Sequence, residues 1–69
     1  MSRVAITLNG DPSEVEEGSR LVDLLEALRV RRERVVVEHN GRVHRGDDLD
    51  GVRLSAGDEV EIVQFVGGG

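Results

Sequence analysis

The residues with the clearest capacity for chemistry are Gly67-Gly68-Gly69, which follow directly on a segment of alternating character. A glycine run has no Cβ atoms, so it enters a slot only a backbone wide and adopts φ values closed to other residues. Ordering it costs roughly 1–2 kcal/mol per residue, and three extended residues reach about 10 Å. Such a tail suits delivery of the Gly69 carboxylate into a buried site on another protein. Val63, Phe65 and Val66 put apolar surface at the base of the tail, as a docking surface requires.

Other constellations are weaker. His39 and His44 are five apart across a turn, with no cysteine in the chain, which falls short of the ligand set of a structural zinc site. Asp48-Leu49-Asp50-Gly51 resembles part of a calcium loop, but the first ligand position and the distal Glu are missing. Asp47 and Asp48 are adjacent carboxylates, yet nothing in the pattern sets them in a cleft for acid–base work. No metal site and no catalytic side chain are expected.

The elements that must carry the tail are legible from periodicity. Val4, Ile6 and Leu8 alternate with polar or small residues, predicting a half-buried strand. Asn9-Gly10 predicts a tight hairpin turn, extended by Asp11-Pro12, with an edge strand from about Ser13 to Glu16. Gly18-Ser19 opens a helix, with Ser19 as the expected cap. Leu21, Leu24, Leu25 and Leu28 form its apolar stripe. Residues 29–32 are expected to be a solvated arginine-rich helix end, complementing the helix dipole. Val35-Val36-Val37 reads as a strand, Val35 and Val37 inward and Val36 outward, closing at the Asn40-Gly41 turn. A polar stretch with a short strand follows, pinned to the core by Leu49, Val52 and Leu54. After the turn at Ala56-Gly57-Asp58, the last strand points Val60 and Ile62 inward, Val63 and Phe65 outward.

Sixty-nine residues form one domain with a thin core. The order strand, strand, helix, strand, short strand, strand predicts an α+β fold. It is a mixed sheet of four to five strands over one main helix, the β-grasp (ubiquitin-like) arrangement, with the third strand expected parallel to the first. Residues 1–66 would form the domain and 67–69 a flexible tail.

Composition narrows the partners. Phe65 is the single aromatic residue and the formal charge is −5, so both base stacking and phosphate attraction are wanting. Nucleic acid is not expected, whereas a basic protein surface is. No stretch approaches the roughly 20 apolar residues of a membrane span, and no signal-peptide apolar core follows Met1-Ser2-Arg3. A cytoplasmic protein without membrane attachment is expected. All nine basic residues are arginine, in keeping with codon bias and compatible with avoiding lysine amines near an activated carboxyl group.

Three segments also carry a resemblance. Glu61-Ile62-Val63-Gln64-Phe65-Val66-Gly67-Gly68-Gly69, Val37-Glu38-His39-Asn40-Gly41 and Ser55-Ala56-Gly57-Asp58-Glu59-Val60 resemble the ThiS family of thiamine-biosynthesis sulfur carriers. The resemblance extends over nearly the whole chain. It implies that a ubiquitin-activating-type adenylyltransferase uses ATP and Mg²⁺ to adenylate Gly69. Sulfur from a cysteine desulfurase would then give a thiocarboxylate, which thiazole synthase consumes. The carrier itself would bind no cofactor. Val36, Val63, Phe65 and Val66 would dock the partners, and Gly67 and Gly68 would thread. Two alternatives share the pattern: a related carrier of molybdopterin or tRNA thiolation, and a ubiquitin-like interaction module with an inert tail.

Overall fold

A computed structural model describes residues 2–65. Five strands and one helix occur in the order β1 (Arg3–Leu8), β2 (Asp11–Glu16), α1 (Leu21–Ala27), β3 (Val35–His39), β4 (Arg42–His44) and β5 (Glu59–Gln64). Single 3₁₀ turns lie at Arg32–Arg34 and Gly46–Asp50. The sheet order is β2-β1-β5-β3-β4. Five-stranded, mixed and paired with one helix, it is the β-grasp fold that the pattern predicts.

Turn chemistry sets the two hairpins. Asn9 and Gly10 have φ of 50° and 85°, and Asn40 and Gly41 have 50° and 88°. Positive φ at both central residues matches the right-handed twist of the strands they join. β1 and β2 pair antiparallel from Arg3–Glu16 to Leu8–Asp11. Asp11 and Pro12 therefore belong to the strand and do not extend the turn. β2 lies at the sheet edge, where a residue lacking an N–H is tolerated.

The direction of β3 differs from expectation. β5 is the strand parallel to β1, through Thr7–Glu59 and Leu8–Val60, and β3 pairs antiparallel to β5. β3 thus runs antiparallel to β1 and is separated from it by β5. A parallel neighbour needs a long crossover, and here all the chain between β1 and β5 provides it.

One face of the sheet and α1 enclose the core: Ile6, Val15, Val35, Val37 and Val60 from the strands, and Leu21, Val22, Leu24 and Leu25 from the helix. Leu49 and Leu54, from the long connection into β5, complete it, with Val52 packed alongside. The N–H of Leu21 donates to Val52 O at 3.0 Å and that of Leu54 to Ser19 O at 2.8 Å. The connection is thereby stitched to the start of the helix.

Both ends of α1 depart from the simple reading. The cap residue is Arg20, not Ser19. The Asp23 carboxylate reaches back to accept from the Arg20 backbone N–H at 2.9 Å, so the satisfied donor is met from inside the first turn. Ser19 is instead held by its backbone, through Glu16 O and Leu54 N–H. At the other end, Arg29 takes φ 60°. Its N–H donates to Glu26 O and that of Val30 to Leu25 O, a Schellman closure. This early stop turns Leu28 out to 44% exposure, and Val22 takes the buried place expected of it. Arg32 is not simply solvated: it forks onto Asp50 at 3.0 and 3.1 Å.

Candidate functional site

The face of the sheet opposite α1 is uncovered, and strand register assigns its residues. Val36 of β3 stands opposite Val63 of β5, and Glu38 opposite Glu61. Val43 of β4 stands opposite Glu38. Val63 is 58% and Phe65 51% exposed, so the outward register predicted beyond Ile62 holds, while Val36 is half-buried. The N–H of Phe65 donates to Arg34 O at 2.8 Å, so pairing with the β3 side continues to the last described residue. Val66, Gly67, Gly68 and Gly69 lie outside the described residues.

The geometry therefore brings three of the predicted docking residues to one place. Val36 and Val63 share a cross-strand pair, and Phe65 follows Val63 by two residues on the same face. An apolar end of the sheet face thus adjoins the point where the chain runs on into residues 66–69. Next to it, toward the two tight turns, the face becomes acidic through Glu38, Glu59 and Glu61.

The remaining sequence candidates take other roles. Among the described residues no group of three or more His, Cys, Asp or Glu is arranged to hold a metal ion. His39 and His44 have ring centroids 6.1 Å apart and mutually tilted. Asp47 and Asp48 lie in the 3₁₀ turn Gly46–Asp50 beside an open depression. The buried Leu49 between them and Asp50 anchors that turn. No described helix is long and apolar enough to cross a membrane.

One polar cluster was not foreseen. His39 Nε2 lies 2.7 Å from Asp58 Oδ2, Asn40 Nδ2 donates to Asp58 Oδ1 at 3.1 Å, and the Ser55 N–H donates to Asp58 Oδ2 at 2.8 Å. Asn40 Oδ1 in turn accepts from the Glu59 N–H at 2.8 Å. Asp58 is only 9% exposed. Burial by itself would push its carboxyl up, but the bonds from His39, Asn40 and Ser55 outweigh that and hold it below the ordinary carboxylate range. The cluster clasps the β3–β4 turn to the start of β5 and so fixes the strand that leads to the tail. Its sequence signal is local: Ser55 and Asp58 are three apart, the spacing of a side chain reaching back to a backbone N–H.

Comparison with known proteins places this geometry. The sequence model of the ThiS family matches residues 6–69. A crystal structure of the thiamine biosynthesis protein ThiS from Geobacter metallireducens superposes with a TM-score of 0.80 at 40% identity, covering 96% of this chain and all of that one. A solution NMR structure of a thiamine biosynthesis protein from the same organism gives 0.77 at 39% identity, covering 96% and 88%. A protein named thiazole synthase from Magnetococcus marinus is 41% identical over 64 residues, or 93% of this chain. This chain spans only 20% of that protein's length. With a family match over most of its length and a shared fold at this identity, the chain belongs to the ThiS family.

Proposed function

We propose that this protein carries sulfur on the carboxyl group of Gly69 for thiazole formation in thiamine biosynthesis. The observation that supports this most directly is the continuity of β5, the exposed Val63 and Phe65, and the Gly67-Gly68-Gly69 run within a ThiS-family chain. A carboxylate is a poor acyl donor until one of its oxygens is made part of a good leaving group. In the proposed cycle a ubiquitin-activating-type adenylyltransferase supplies it. The Gly69 carboxylate oxygen attacks the α-phosphorus of Mg²⁺-bound ATP, pyrophosphate leaves, and an acyl-adenylate forms. Hydrosulfide, released when a thiol attacks the persulfide formed by a cysteine desulfurase and is itself left in a disulfide, then attacks the carbonyl carbon. AMP departs with the original carboxylate oxygen, and a thiocarboxylate remains. Thiazole synthase takes the sulfur.

In this reading the carrier contributes no acid, base or metal ligand and binds no cofactor. It contributes a narrow tail and a surface, Val36, Val63, Phe65 and Val66, that holds the partner while Gly67 and Gly68 thread its channel. The likeness to a thiazole synthase favours the thiazole branch over molybdopterin or tRNA thiolation. In this reading the carrier works in the cytoplasm.

The decisive measurement is intact mass after incubation with ATP, Mg²⁺, sulfide and the cognate adenylyltransferase. Exchange of the terminal OH for SH adds about 16 Da. An unchanged mass beside an adenylyltransferase of verified activity rejects the proposal and leaves an interaction module with an inert tail.

A further inference from the structure

β2 is an outer strand of the sheet, and its far edge carries backbone groups that β1 does not use. The Glu17 N–H donates to Ser2 O at 2.9 Å, and the β1–β2 register continues from that pair. Bonded and non-bonded pairs alternate along an antiparallel ladder, so Val15, Ser13 and Asp11 bond to β1, while Pro12, Glu14 and Glu16 turn their backbone groups outward. The same parity sends the N–H groups of Thr7 and Asn9 the other way, to Asp58 O and Val60 O. Pro12 has no N–H to leave unpaired, and the Glu16 carbonyl accepts from the Ser19 N–H at 3.0 Å. The Glu14 N–H and C=O, the Glu16 N–H and the Pro12 C=O have no backbone partner among the described residues.

Beside this edge, β2 and α1 do not close on one another. Ser13 and Val15 of β2, with Leu24, Ala27 and Leu28 at the helix, line a groove of about 410 Å³. Val15 and Leu24 are buried and form its floor, and the exposed Leu28 forms its lip. The early stop of α1 is what leaves that apolar lip without a partner. On the other face of β2, Glu14 stands opposite Ala5, so no basic residue meets it across the ladder. Neither Glu14 nor Glu16 forms an ion pair among the described residues.

From this juxtaposition we infer that the β2 edge and the β2–α1 groove receive an extended segment of a partner protein, in which apolar residues alternate with arginine or lysine. The segment joins the sheet as an added strand, held by main-chain bonds to Pro12, Glu14 and Glu16. Its period of two sends one set of side chains into the groove, against Val15, Leu24 and Leu28. The other set lies on the outer face, where a cation directly opposite Glu14 is stabilising. A second copy of this chain is disfavoured as occupant, since pairing β2 with β2 brings the glutamates of both copies together. The site is separate from the patch at the end of β5. β1 lies between β2 and β5, and the groove is on the helix side of the sheet, whereas Val63 and Phe65 are on the other. The inference goes beyond the carrier function and does not depend on it, since a partner bound here leaves Val63 and Phe65 uncovered.

The test uses the full chain, isotope-labelled for NMR, and a short blocked peptide that alternates arginine with valine. Titration should shift the amides of Glu14, Glu16, Leu24, Ala27 and Leu28, slow amide exchange at Glu14 and Glu16, and leave Val36, Val63 and Phe65 in place. Leu28 lies outside the core cluster, so Leu28→Gln should keep the wild-type urea midpoint while binding the peptide about fivefold more weakly. Glu14→Gln should weaken binding about threefold at low salt and less at high salt, where exposed charges are screened. A peptide with its arginines in one block and its valines in another should bind at least about tenfold more weakly, because it loses the period of two. Methylating every second backbone nitrogen, along one edge of the peptide or the other, should abolish binding for one of the two, since only one edge bonds to β2. No shifts at millimolar peptide, shifts centred on Val63 and Phe65, or equal binding by the block peptide would each overturn the inference. So would full binding by both methylated peptides, or a dimer of the free chain that Leu28→Gln disperses, which would assign the edge to a second copy.

Discussion

Val36 and Val63 face each other across the β3–β5 ladder on the side of the sheet that α1 leaves uncovered. Their neighbours in the same two strands, Val37 and Val60, are each 1% exposed on the opposite side. A single strand pair therefore supplies both the core and the outer apolar patch. A one-residue change of register would exchange the two sets, and the clasp of Asp58 with His39, Asn40 and Ser55 opposes such a slip.

Phe65 separates docking from folding. It is half exposed, and it lies outside the core cluster. Phe65→Ala should leave the denaturation midpoint close to wild type. Truncating a central interface aromatic costs about 2 kcal/mol or more of binding, so affinity for the adenylyltransferase or the thiazole synthase should fall roughly thirtyfold. Calorimetric binding and denaturant titration on the same variant check this. A stability loss in the range of a buried phenylalanine, with unchanged affinity, would make it a core residue.

Residues with strict period two or a fixed turn chemistry were legible in the sequence. Val35, Val37 and Val60 are buried, Val63 and Phe65 are out, and both Asn-Gly turns form as the pattern predicts. What was not legible depends on contacts distant in sequence. Leu28 continues a perfect apolar stripe, yet the Schellman closure at Arg29 and Val30 removes it from the core. Ser19 has the better capping chemistry, but its backbone is committed to Glu16 and Leu54, so Arg20 becomes the cap. The direction of β3 could not be read from local signals, because it is set by which strand occupies the centre. The uncovered sheet face was half visible: its valines and Phe65 were identified, whereas the opposition of Glu38 and Glu61 requires the β3–β5 register.

The tail should be separable from the fold. The described core is built from residues 4–62, so Gly68→Ala and Gly69→Ala should match wild type in circular dichroism and thermal melting. Both should lose activation, since a Cβ would obstruct a channel cut for backbone alone. Adenylation of either variant at the wild-type rate would show that no such narrow channel operates.

Leu49 is fully buried in a turn that carries three aspartates. Leu49→Ala should cost about 2–5 kcal/mol. That is a large share of the stability of a domain this small, on the order of 5 kcal/mol, so much of the population should unfold at moderate temperature. A midpoint in urea close to wild type would mean that the connection before β5 folds without its anchor.

Arg29 holds φ 60° at the end of α1, a conformation that costs an L-residue about 1 kcal/mol and glycine little. Nothing else ties the Arg29 side chain among the described hydrogen bonds and ion pairs. Arg29→Gly should therefore raise the unfolding free energy by about that amount, with an unchanged denaturant slope. A loss of stability would reveal that the guanidinium contributes more than its backbone strain removes.

The clasp at Asp58 makes a pH prediction whose sign follows from the direction of its shift. Its carboxyl titrates below the ordinary value in the folded protein, against about 3.9 in the unfolded chain. The stabilisation is therefore fully present above the unfolded value and is lost as pH falls through the folded one. Above that window Asp58→Asn should destabilise the domain, because an amide cannot accept from His39, Asn40 and the Ser55 N–H as an ionised carboxylate does. The loss should be about 1.5–3 kcal/mol at pH 7, the range for hydrogen bonds to a charged group. In acid the wild type should lose its advantage, so the two stability curves should converge as pH falls through the folded value. Urea titrations of both proteins across acid and neutral pH measure the difference. A gap that stayed constant down to the lowest pH would mean that Asp58 acts through shape alone, and that its charge does not hold β5 in register.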